Sequence, residues 1–385
     1  MKLEDAIDFN PTEKLAKNAY AKKIGMDKLT PFYKYIDSFE YEKYSGGAKF
    51  RNSDTIVARI TPCLENGKTA YIDLLDDGEI AFGSTEFIVM RNKENVTIPE
   101  YVYYLSISPK FREKAISLMT GTSGRQRVQL DPLKEEKFYI SSIHDQIKMV
   151  KILSAIDEKI KLNSKINNNL YELAIKYLNE MQSNEEVTLS NFGKIQGGYA
   201  FKSKDLLDAK TNNRIIKIKN LRNEISADVI NSQFVENEVI DKLDNKFKIK
   251  KGNVAIAMTG AELGKTGFIY GFDDYYLNQR VGLVRGITKE KELYLNILLL
   301  SQEFQDLLNS KGYGSAQPNV STADIENITI QNIEDDDLIK FYEKVSPIYT
   351  KIILNCEENL NLEQLRDTLL PKLMNGEIDL DNIEI

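Results

Sequence analysis

The chain has 385 residues, 42% hydrophobic and 28% charged, so it can form a sizeable core and more than one domain. The single histidine, His144, argues against a zinc site, and no apolar run is long enough to predict a membrane span. The two cysteines, Cys63 and Cys356, have no partner spacing, which indicates a reducing, cytoplasmic setting. The net charge of −7 opposes simple nucleic-acid binding, but residues 331–385 hold 13 acidic and 5 basic residues, which leaves +1 for the remainder.

The first part of the chain mixes strand-like and turn-rich sequence. Residues Thr55–Thr61 and Ala70–Leu74 predict two strands around a glycine turn, and the alternating sequence GSTEFIVMR from Gly83 predicts another strand. A short helix is expected over Pro99–Leu105, followed by the Gly/Ser/Arg/Gln loop GTSGRQRV from Gly121. This order of elements is typical of an α+β domain.

A long helix is expected from about Asp145 to Gln182, because apolar residues recur there at alternating steps of three and four. Two asparagines occupy steps of this heptad seam. The seam residues singled out are Ile156, Ile160, Asn163, Asn167 and Leu170.

The second half of the chain repeats the first at a shift of 192 residues. Leu29 aligns with Leu221, and Val128 aligns with Val320. The repeat predicts strands over Asn253–Thr259, over Gly267–Tyr270 and in LNQRVGLVR from Leu277, a helix over Leu293–Leu300, and the loop GSAQPNV from Gly314. The second seam comprises Ile348, Ile352, Asn355, Asn359 and Leu362.

Neither long helix can bury its apolar stripe alone, so the two are expected to pack on each other. Buried asparagines that face each other are satisfied in one alignment, which favours an antiparallel pair with Asn163 and Asn167 near Asn355 and Asn359. The expected fold is α+β, with two similar domains in a pseudo-two-fold arrangement, separated by two long antiparallel helices forming a coiled coil. Pro347 should kink the second helix or mark its start.

Motifs of an enzyme are missing from the sequence. Gly264-Lys265-Thr266 follows Gly260 one residue too closely for a phosphate-binding loop. Asp157-Glu158-Lys159 resembles a nuclease triplet, but its place on the heptad helix favours a solvated charged face. No set of serine, histidine and aspartate offers nucleophilic catalysis.

Several polar side chains suit DNA contact. Arginine, glutamine and asparagine form paired hydrogen bonds to guanine and adenine edges, and lysine or tyrosine adds phosphate or stacking contacts. The alternative for each is an exposed loop residue or a contact with the adjoining helix. The candidates are Arg59, Lys68, Arg125, Gln126, Arg127, Tyr199, Lys202, Lys265, Arg280, Gln317 and Asn319.

Three segments carry a family resemblance. They are LRDTLLPKLMNGEIDL (Leu365–Leu380), GSAQPNVSTADI (Gly314–Ile325) and GGYAFKSKDL (Gly197–Leu206). Together with the duplicated layout, they make the chain resemble the specificity subunits of type I restriction-modification systems.

This resemblance implies a non-catalytic subunit that recognises a split DNA sequence, one half per domain, with the helices as a spacer. The implied partners are double-stranded DNA, two modification subunits and a restriction subunit. No cofactor is expected in this chain; S-adenosylmethionine, ATP and magnesium would belong to the partners. The implied boundaries are 1–143 for the first recognition domain, 144–184 for the first spacer helix, 185–333 for the second domain, and 334–385 for the second spacer helix and tail.

Two other function classes compete with DNA recognition. A coiled-coil protein-interaction scaffold would keep the repeat without reading DNA, and sequence-specific binding in the assembled complex would separate the two. A self-sufficient methyltransferase or nuclease would need the motifs that are missing.

Overall fold

The computed structural model describes residues 1–122, 124–181, 183–207, 211–222, 225–272, 274–312 and 319–380. The chain forms two compact units. Unit 1 comprises Met1–Lys161 and Asn361–Ile385, and unit 2 comprises Leu162–Leu360. Within the described part of the chain, no helix has an apolar stretch long enough to span a bilayer.

Unit 1 contains two four-stranded sheets and a two-stranded ribbon. Its strands are β1 (Ile7–Phe9), β2 (Tyr20–Ile24), β3 (Glu40–Lys43), β4 (Lys49–Phe50), β5 (Thr55–Ala58), β6 (Thr69–Tyr71), β7 (Ala81–Gly83), β8 (Phe87–Asn92), β9 (Met119–Thr120) and β10 (Arg127–Val128). Its helices are α1 (Leu3–Ala6), α2 (Pro99–Ile107), α3 (Pro109–Ser117), α4 (Leu130–Glu135), the first part of α5 (Ile143–Asn179) and the last part of α10 (Asp335–Met374).

One sheet of unit 1 is antiparallel, in the order β1-β8-β5-β6, and the other has the order β3-β2-β7-β4. In the second sheet, β2 and β7 run parallel, with Lys23 opposite Phe82. Strands β5 and β6 are buried along their whole length, and α2 covers them with a run of buried residues that includes Tyr101, Tyr103 and Tyr104. The sheets and α2 therefore form a rigid support for the loops at the strand ends.

Unit 2 has the same kinds of element. Its strands are β11 (Glu186–Thr188), β12 (Gly193–Gly197), β13 (Leu206–Leu207), β14 (Arg214–Ile216), β15 (Gln233–Val235), β16 (Lys248–Ile249), β17 (Val254–Ala257), β18 (Thr266–Phe268), β19 (Tyr275–Leu277), β20 (Val281–Gly286) and β21 (Thr329–Gln331). Its helices are the second part of α5, α6 (Asn237–Ile240), α7 (Lys289–Leu300), α8 (Gln302–Gly312), α9 (Thr322–Glu326) and most of α10 (Asp335–Met374).

The sheets of unit 2 follow the plan of unit 1. The order β12-β20-β17-β18 matches β1-β8-β5-β6, and all of its pairs are antiparallel. The second sheet, β13-β15-β14-β19-β16, again has one parallel pair, β14 with β19, and gains β13 at its edge. The duplication seen in the sequence is thus a duplication of strand topology.

The long helices α5 and α10 begin at Ile143 and Asp335, which are 192 residues apart, as the repeat predicts. Pro347 lies inside α10, so the expectation that it marks the start of the helix is wrong. The exposed Ser346 carbonyl oxygen accepts from the Thr350 hydroxyl instead of capping a new helix.

The asparagines of the two helices hydrogen-bond to each other within unit 2. Asn163 Nδ2 donates to Asn359 Oδ1 (2.9 Å), and Asn355 Nδ2 donates to Asn167 Oδ1 (2.8 Å). Residue numbers rise along one helix as they fall along the other, so the two segments run antiparallel. The repeat converts one pair into the other, because Asn163 corresponds to Asn355 and Asn167 corresponds to Asn359.

Both long helices belong to the cores of the units rather than standing apart from them. In unit 1, Met149 and Leu153 of α5 and Leu370 and Leu373 of α10 share one hydrophobic cluster with Leu3. In unit 2, segments of both helices likewise pack with sheet and helix residues, including Ala174, Tyr349 and Phe192. Each unit therefore packs on its own segments of the two long helices.

The interpretation of Asp157 as part of a solvated charged face is wrong. Its side chain is 3% exposed and forms an ion pair with Arg366 of α10, which is equally buried. Tyr104 of α2 donates its hydroxyl to Asp157 Oδ2 (2.7 Å). A helical pattern cannot show that Asp157 is buried, because Tyr104 and Arg366, which cover it, lie in distant segments of the chain.

Candidate nucleic-acid interface

Three segments of unit 1 meet just beyond the end of β5. Arg59 N donates to the Glu86 carbonyl oxygen (2.9 Å), and Val128 N donates to the Arg59 carbonyl oxygen (2.9 Å). Ile60 and Arg127 form an isolated antiparallel bridge. Because backbone hydrogen bonds hold these segments, they bring the side chains of Arg59, Glu86 and Arg127 to one end of the sheet.

Arg127 and Glu86 form a two-pronged ion pair at this end. Arg127 Nε lies 2.9 Å from both carboxylate oxygens, and Nη2 lies 2.6 Å from Oε1. The hydrogen bond from Arg127 lowers the pKa of the Glu86 carboxyl, and Glu86 in turn raises the pKa of the guanidinium. The Arg127 side chain is 45% exposed, so a charged and oriented guanidinium faces solvent.

The other candidates of this loop differ in how far they are engaged. Arg125 is exposed. Gln126 is half-buried, and its carbonyl oxygen accepts from Thr61 N (3.0 Å). Arg59 is half-buried, with Nη2 donating to the Val128 carbonyl oxygen (3.2 Å). Arg125 is thus the most accessible of these three side chains.

Unit 2 builds the same arrangement from different residues. Met258 N donates to the Arg280 carbonyl oxygen (3.1 Å), and Val320 N donates to the Met258 carbonyl oxygen (2.9 Å). Thr259 and Asn319 form the bridge that Ile60 and Arg127 form in unit 1. The side chains of Arg280 and Asn319 are both exposed, and Arg280 Nη1 donates to Asn319 Oδ1 (3.3 Å). Gln317 lies outside the described residues.

Lys68 and Lys265 occupy corresponding places on the far side of the central strands. Each carbonyl oxygen accepts a backbone hydrogen bond, from Ala58 N and from Ala257 N. Lys68 Nζ donates to the Met26 carbonyl oxygen (2.7 Å), whereas Lys265 forms an ion pair with Glu262. Both ammonium groups are therefore engaged inside their own unit.

A small aromatic cluster lies beside the Arg280 loop. The Tyr199 ring, 38% exposed, makes edge contacts with Phe201 (5.0 Å) and Phe247 (5.5 Å). Tyr199 forms an isolated parallel β-bridge with Asn278, which lies two residues before Arg280. Lys202 is exposed nearby in sequence, so this surface combines a stacking group with positive charge.

The geometry of the Gly264-Lys265-Thr266 segment does not suit a nucleotide phosphate. A phosphate-binding loop leads into a helix whose free N–H groups hold the phosphates. Here a short 3-10 turn over Gly260–Glu262 leads into strand β18. Among the residues described, no three histidine, cysteine or acidic side chains come together as a metal site.

Glu86 was missed in the sequence, although a signal was present. It immediately precedes β8, as Arg280 immediately precedes β20 in the matching sheet. The sequence candidates were all residues that can donate hydrogen bonds, so the carboxylate of Glu86, which orients Arg127, was not among them.

Comparison with known proteins decides the family. The model of the type I restriction modification DNA specificity domain matches the chain twice, over residues 1–172 and 181–332. The chain belongs to this DNA specificity family. Its two matches fall on the two halves of the repeat, so the protein carries two specificity domains.

Relatives of similar length carry the same description. The chain is 24% identical over 311 residues to the type I restriction enzyme MjaIX specificity subunit of Methanocaldococcus jannaschii, covering 74% of this chain and 70% of that relative. It is 22% identical over an alignment of 455 residues to the HindI specificity subunit of Haemophilus influenzae, covering 97% and 98%. The crystal structure of a type I S subunit from M. genitalium has the same fold, with a TM-score of 0.53 at 17% identity over 97% and 95% of the chains.

The family and the α+β fold with two similar domains are thereby confirmed. As a type I specificity subunit, the protein is a DNA-recognition component and not a catalytic one. It works as part of a restriction-modification assembly.

Proposed function

We propose that this specificity subunit recognises a split DNA target, with one half-site for each recognition domain. The recognition domains are residues 1–143 and 185–333. The spacer helices are residues 144–184 and, with the tail, 334–385. The helices set the number of base pairs that lie unread between the half-sites.

The observation that carries this proposal is the matched arrangement of three segments at the end of each central sheet. The backbone contacts at Arg59 and Met258 are the same, but the exposed side chains around them differ. A repeated scaffold with different polar groups suits two different short sequences read through major-groove edges. Joining the two domains raises the effective concentration of the second, so neither needs high affinity alone.

The helix pair supports the role of a spacer. At about 1.5 Å per residue, the 37 residues of α5 span roughly 55 Å. The hydrogen bonds of Asn163 with Asn359 and of Asn167 with Asn355 favour one register. The proposed seam continues through Ile156, Ile160, Leu170, Ile348, Ile352 and Leu362.

We propose two copies of one partner, because the long helices repeat their exposed apolar residues. Three large apolar side chains on each helix are between 37% and 53% exposed, and each has its counterpart 192 residues away. The pairs are Ile147 with Ile339, Leu162 with Leu354, and Leu173 with Leu365. The recurrence of exposed apolar residues at the repeat distance, rather than the exposure of any single residue, supports the same kind of interface on both halves.

The partner proposed for these faces is the modification subunit, which would hold S-adenosylmethionine and methylate adenine in the cytoplasm. A restriction subunit that uses ATP and magnesium would join the assembly as a further partner. The DNA-contact candidates Arg125, Gln126, Lys202 and Gln317 remain part of this proposal.

The test is a map of methylated adenines. The full chain is expressed with its modification subunit in a host that lacks DNA methylation, and modified positions are located across the genome. A split motif with a fixed gap is the expected result. A stable complex that produces no motif would favour the competing scaffold function.

A further inference from the structure

We propose that specificity in each half-site is set by three matched positions at the end of the central sheet, and that their side chains can be exchanged between the units. The matched positions are Arg59 with Met258, Glu86 with Arg280, and Arg127 with Asn319. This inference rests on the proposed function and names the residues that perform it.

The equivalence of these positions comes from backbone contacts rather than from sequence alignment. The first position donates its N–H to the carbonyl oxygen of the second, at 2.9 Å in unit 1 and 3.1 Å in unit 2. Its carbonyl oxygen accepts from the residue after the third position, Val128 or Val320, at 2.9 Å in both units. The sequence shifts differ, because Arg59 and Met258 are 199 residues apart and Arg127 and Asn319 are 192 apart.

The side chains at the second and third positions are not needed to hold the loops in place. Val128 and Val320 anchor the loops in the cores, with 0% and 5% exposure. The residue before each valine points its side chain the other way, and both Arg127 and Asn319 are exposed. An exposed ion pair such as Arg127 with Glu86 adds little to stability, so the fold does not require it.

The chemistry at these positions in unit 1 suits a G·C base pair. An arginine reads guanine O6 and N7, and a glutamate accepts from the amino group of cytosine. Glu86 holds Nε and Nη2 of Arg127, which orients the guanidinium before DNA arrives. We assign Arg127 as a specificity residue and Glu86 as its positioning residue.

Unit 2 has different side chains at these positions: Arg280 replaces the carboxylate of Glu86 by a positive charge, and Asn319 replaces the guanidinium of Arg127 by an amide. Asn319 can read the N6 and N7 edge of adenine, and Arg280 can read guanine. Met258 is 7% exposed and supplies no polar group where unit 1 has Arg59. The half-site of unit 2 should therefore contain an adenine beside a guanine at the bases under these positions.

The experiment transfers the side chains of unit 1 to unit 2 in the full chain, assembled with its modification subunit. Arg280→Glu combined with Asn319→Arg changes the net charge by only −1 and leaves the buried Met258 in place. The methylated motif should change at the bases under the matched positions of one half-site, from A·T towards G·C. The other half-site and the gap should stay as they are in the unmodified protein.

A matched control exchanges the exposed ion pair of Asp337 and Lys340 on α10, outside the three segments that carry the matched positions. This control should leave the motif unchanged. The single substitution Asn319→Ala removes an exposed side chain without introducing a charge. It should relax discrimination at one base pair by roughly 5- to 150-fold, the equivalent of losing one two-pronged base contact.

The outcomes separate this inference from the proposed function. An unaltered motif in the double exchange and in Asn319→Ala, with methylation intact, would overturn the inference and leave the split-target function standing. A change that spreads to the other half-site would also overturn it. If the unmodified chain yields no motif in the same assay, the proposed function fails first and the inference fails with it.

Discussion

Arg366 Nη1 lies 2.9 Å from Asp157 Oδ1, and both side chains are 3% exposed. The same guanidinium nitrogen donates to the Phe32 carbonyl oxygen (3.0 Å), so Arg366 also holds a loop of the recognition domain. Burial by itself would lower the pKa of Arg366, but the carboxylate of Asp157 outweighs it and raises the pKa. The spacer helices and the first recognition domain are thus joined by a buried charged network that includes Tyr104.

Removing one member of this network should strongly destabilise unit 1. Asp157→Asn or Arg366→Met leaves a buried charge without its partner, and we expect a loss of about 3–5 kcal/mol in the free energy of unfolding. The control is Asp367→Asn, because Asp367 also binds Arg366 but is 62% exposed, and this change should cost less than about 1 kcal/mol. Urea unfolding measures both. Similar small losses for all variants would show that the network contributes little.

Lengthening the helices should change the gap in the DNA target without changing either half-site. One heptad adds about 10.5 Å to a helix, close to three base pairs at about 3.4 Å each. It must be inserted in both helices, within Ile156–Tyr177 and at the matching place in α10, because an insertion in one helix misaligns Asn163 and Asn167 with their partners. Methylation mapping gives the gap. The single-helix insertion is the control and should impair assembly, whereas an unchanged gap in the double insertion would contradict the role of the helices.

Charge on the repeated apolar faces should weaken binding of the modification subunit in two steps. Leu162→Asp and Leu354→Asp lie at corresponding positions and are 53% and 52% exposed, so the isolated chain should keep its stability. Each single variant should lose one of two partner copies, and the double variant should lose both. Light scattering of the purified complex determines the number of copies. Asn168→Asp, exposed on α5, is the matched control; two bound copies in the double variant would exclude this interface.

Lys34 should contribute a rise in stability with pH in the alkaline range, below the pH at which neighbouring tyrosines with a raised pKa, such as Tyr35, begin to destabilise the fold. Lys34 is 4% exposed, and its ammonium nitrogen lies between 5.2 and 6.0 Å from the ring centroids of Tyr35, Tyr71, Tyr103 and Tyr104. Burial lowers the pKa of Lys34 in spite of nearby carboxylates such as Asp157. A lowered lysine pKa means that the folded state binds its proton less tightly than the unfolded state. Stability is therefore gained as pH rises from the lowered pKa towards the ordinary value of 10.5.

Lys34→Met removes this ionisation while keeping an unbranched side chain among the tyrosines. It should flatten the alkaline rise in the free energy of unfolding and increase stability at neutral pH. Lys43→Met, at an exposed lysine on β3, is the control and should leave the pH profile in place. The measurement is urea unfolding at a series of pH values. A profile for Lys34→Met that retains the full rise would assign it to another group.

The fold followed from sequence where a regular pattern runs over many residues. The heptad steps predicted α5 to within a few residues and the presence of α10, and the alternation from Gly83 contained β8. The predicted strand over Thr55–Thr61 was too long, because β5 ends at Ala58, where Arg59 turns to the loops. The alternation of residues along a strand does not reveal the contacts of Arg59 with Glu86 and Val128, which end β5.

Individual side chains were harder to place, since their environment is supplied by distant segments. Asp157 looks solvated on its own helix, but Tyr104 and Arg366 cover it from elsewhere in the chain. Lys68 and Lys265 looked available for DNA and are engaged by a carbonyl oxygen and a carboxylate. Arg127 was singled out for its chemistry, but its ion pair with Glu86 joins residues 41 positions apart, which no local pattern links.

The two ends of the helix pair differ at the positions of the buried ion pair between Asp157 and Arg366. A chain cut to its first 192 residues and paired with a second copy could form both asparagine contacts again, since Asn163 would meet Asn167 of the other copy. The residue corresponding to Arg366 is Ala174, however, and the residue corresponding to Asp157 is Tyr349. The half-length homodimer would bury two carboxylates without a counter-ion. The differences between the two halves at these positions therefore favour the fused, asymmetric chain over a dimer of half-length chains.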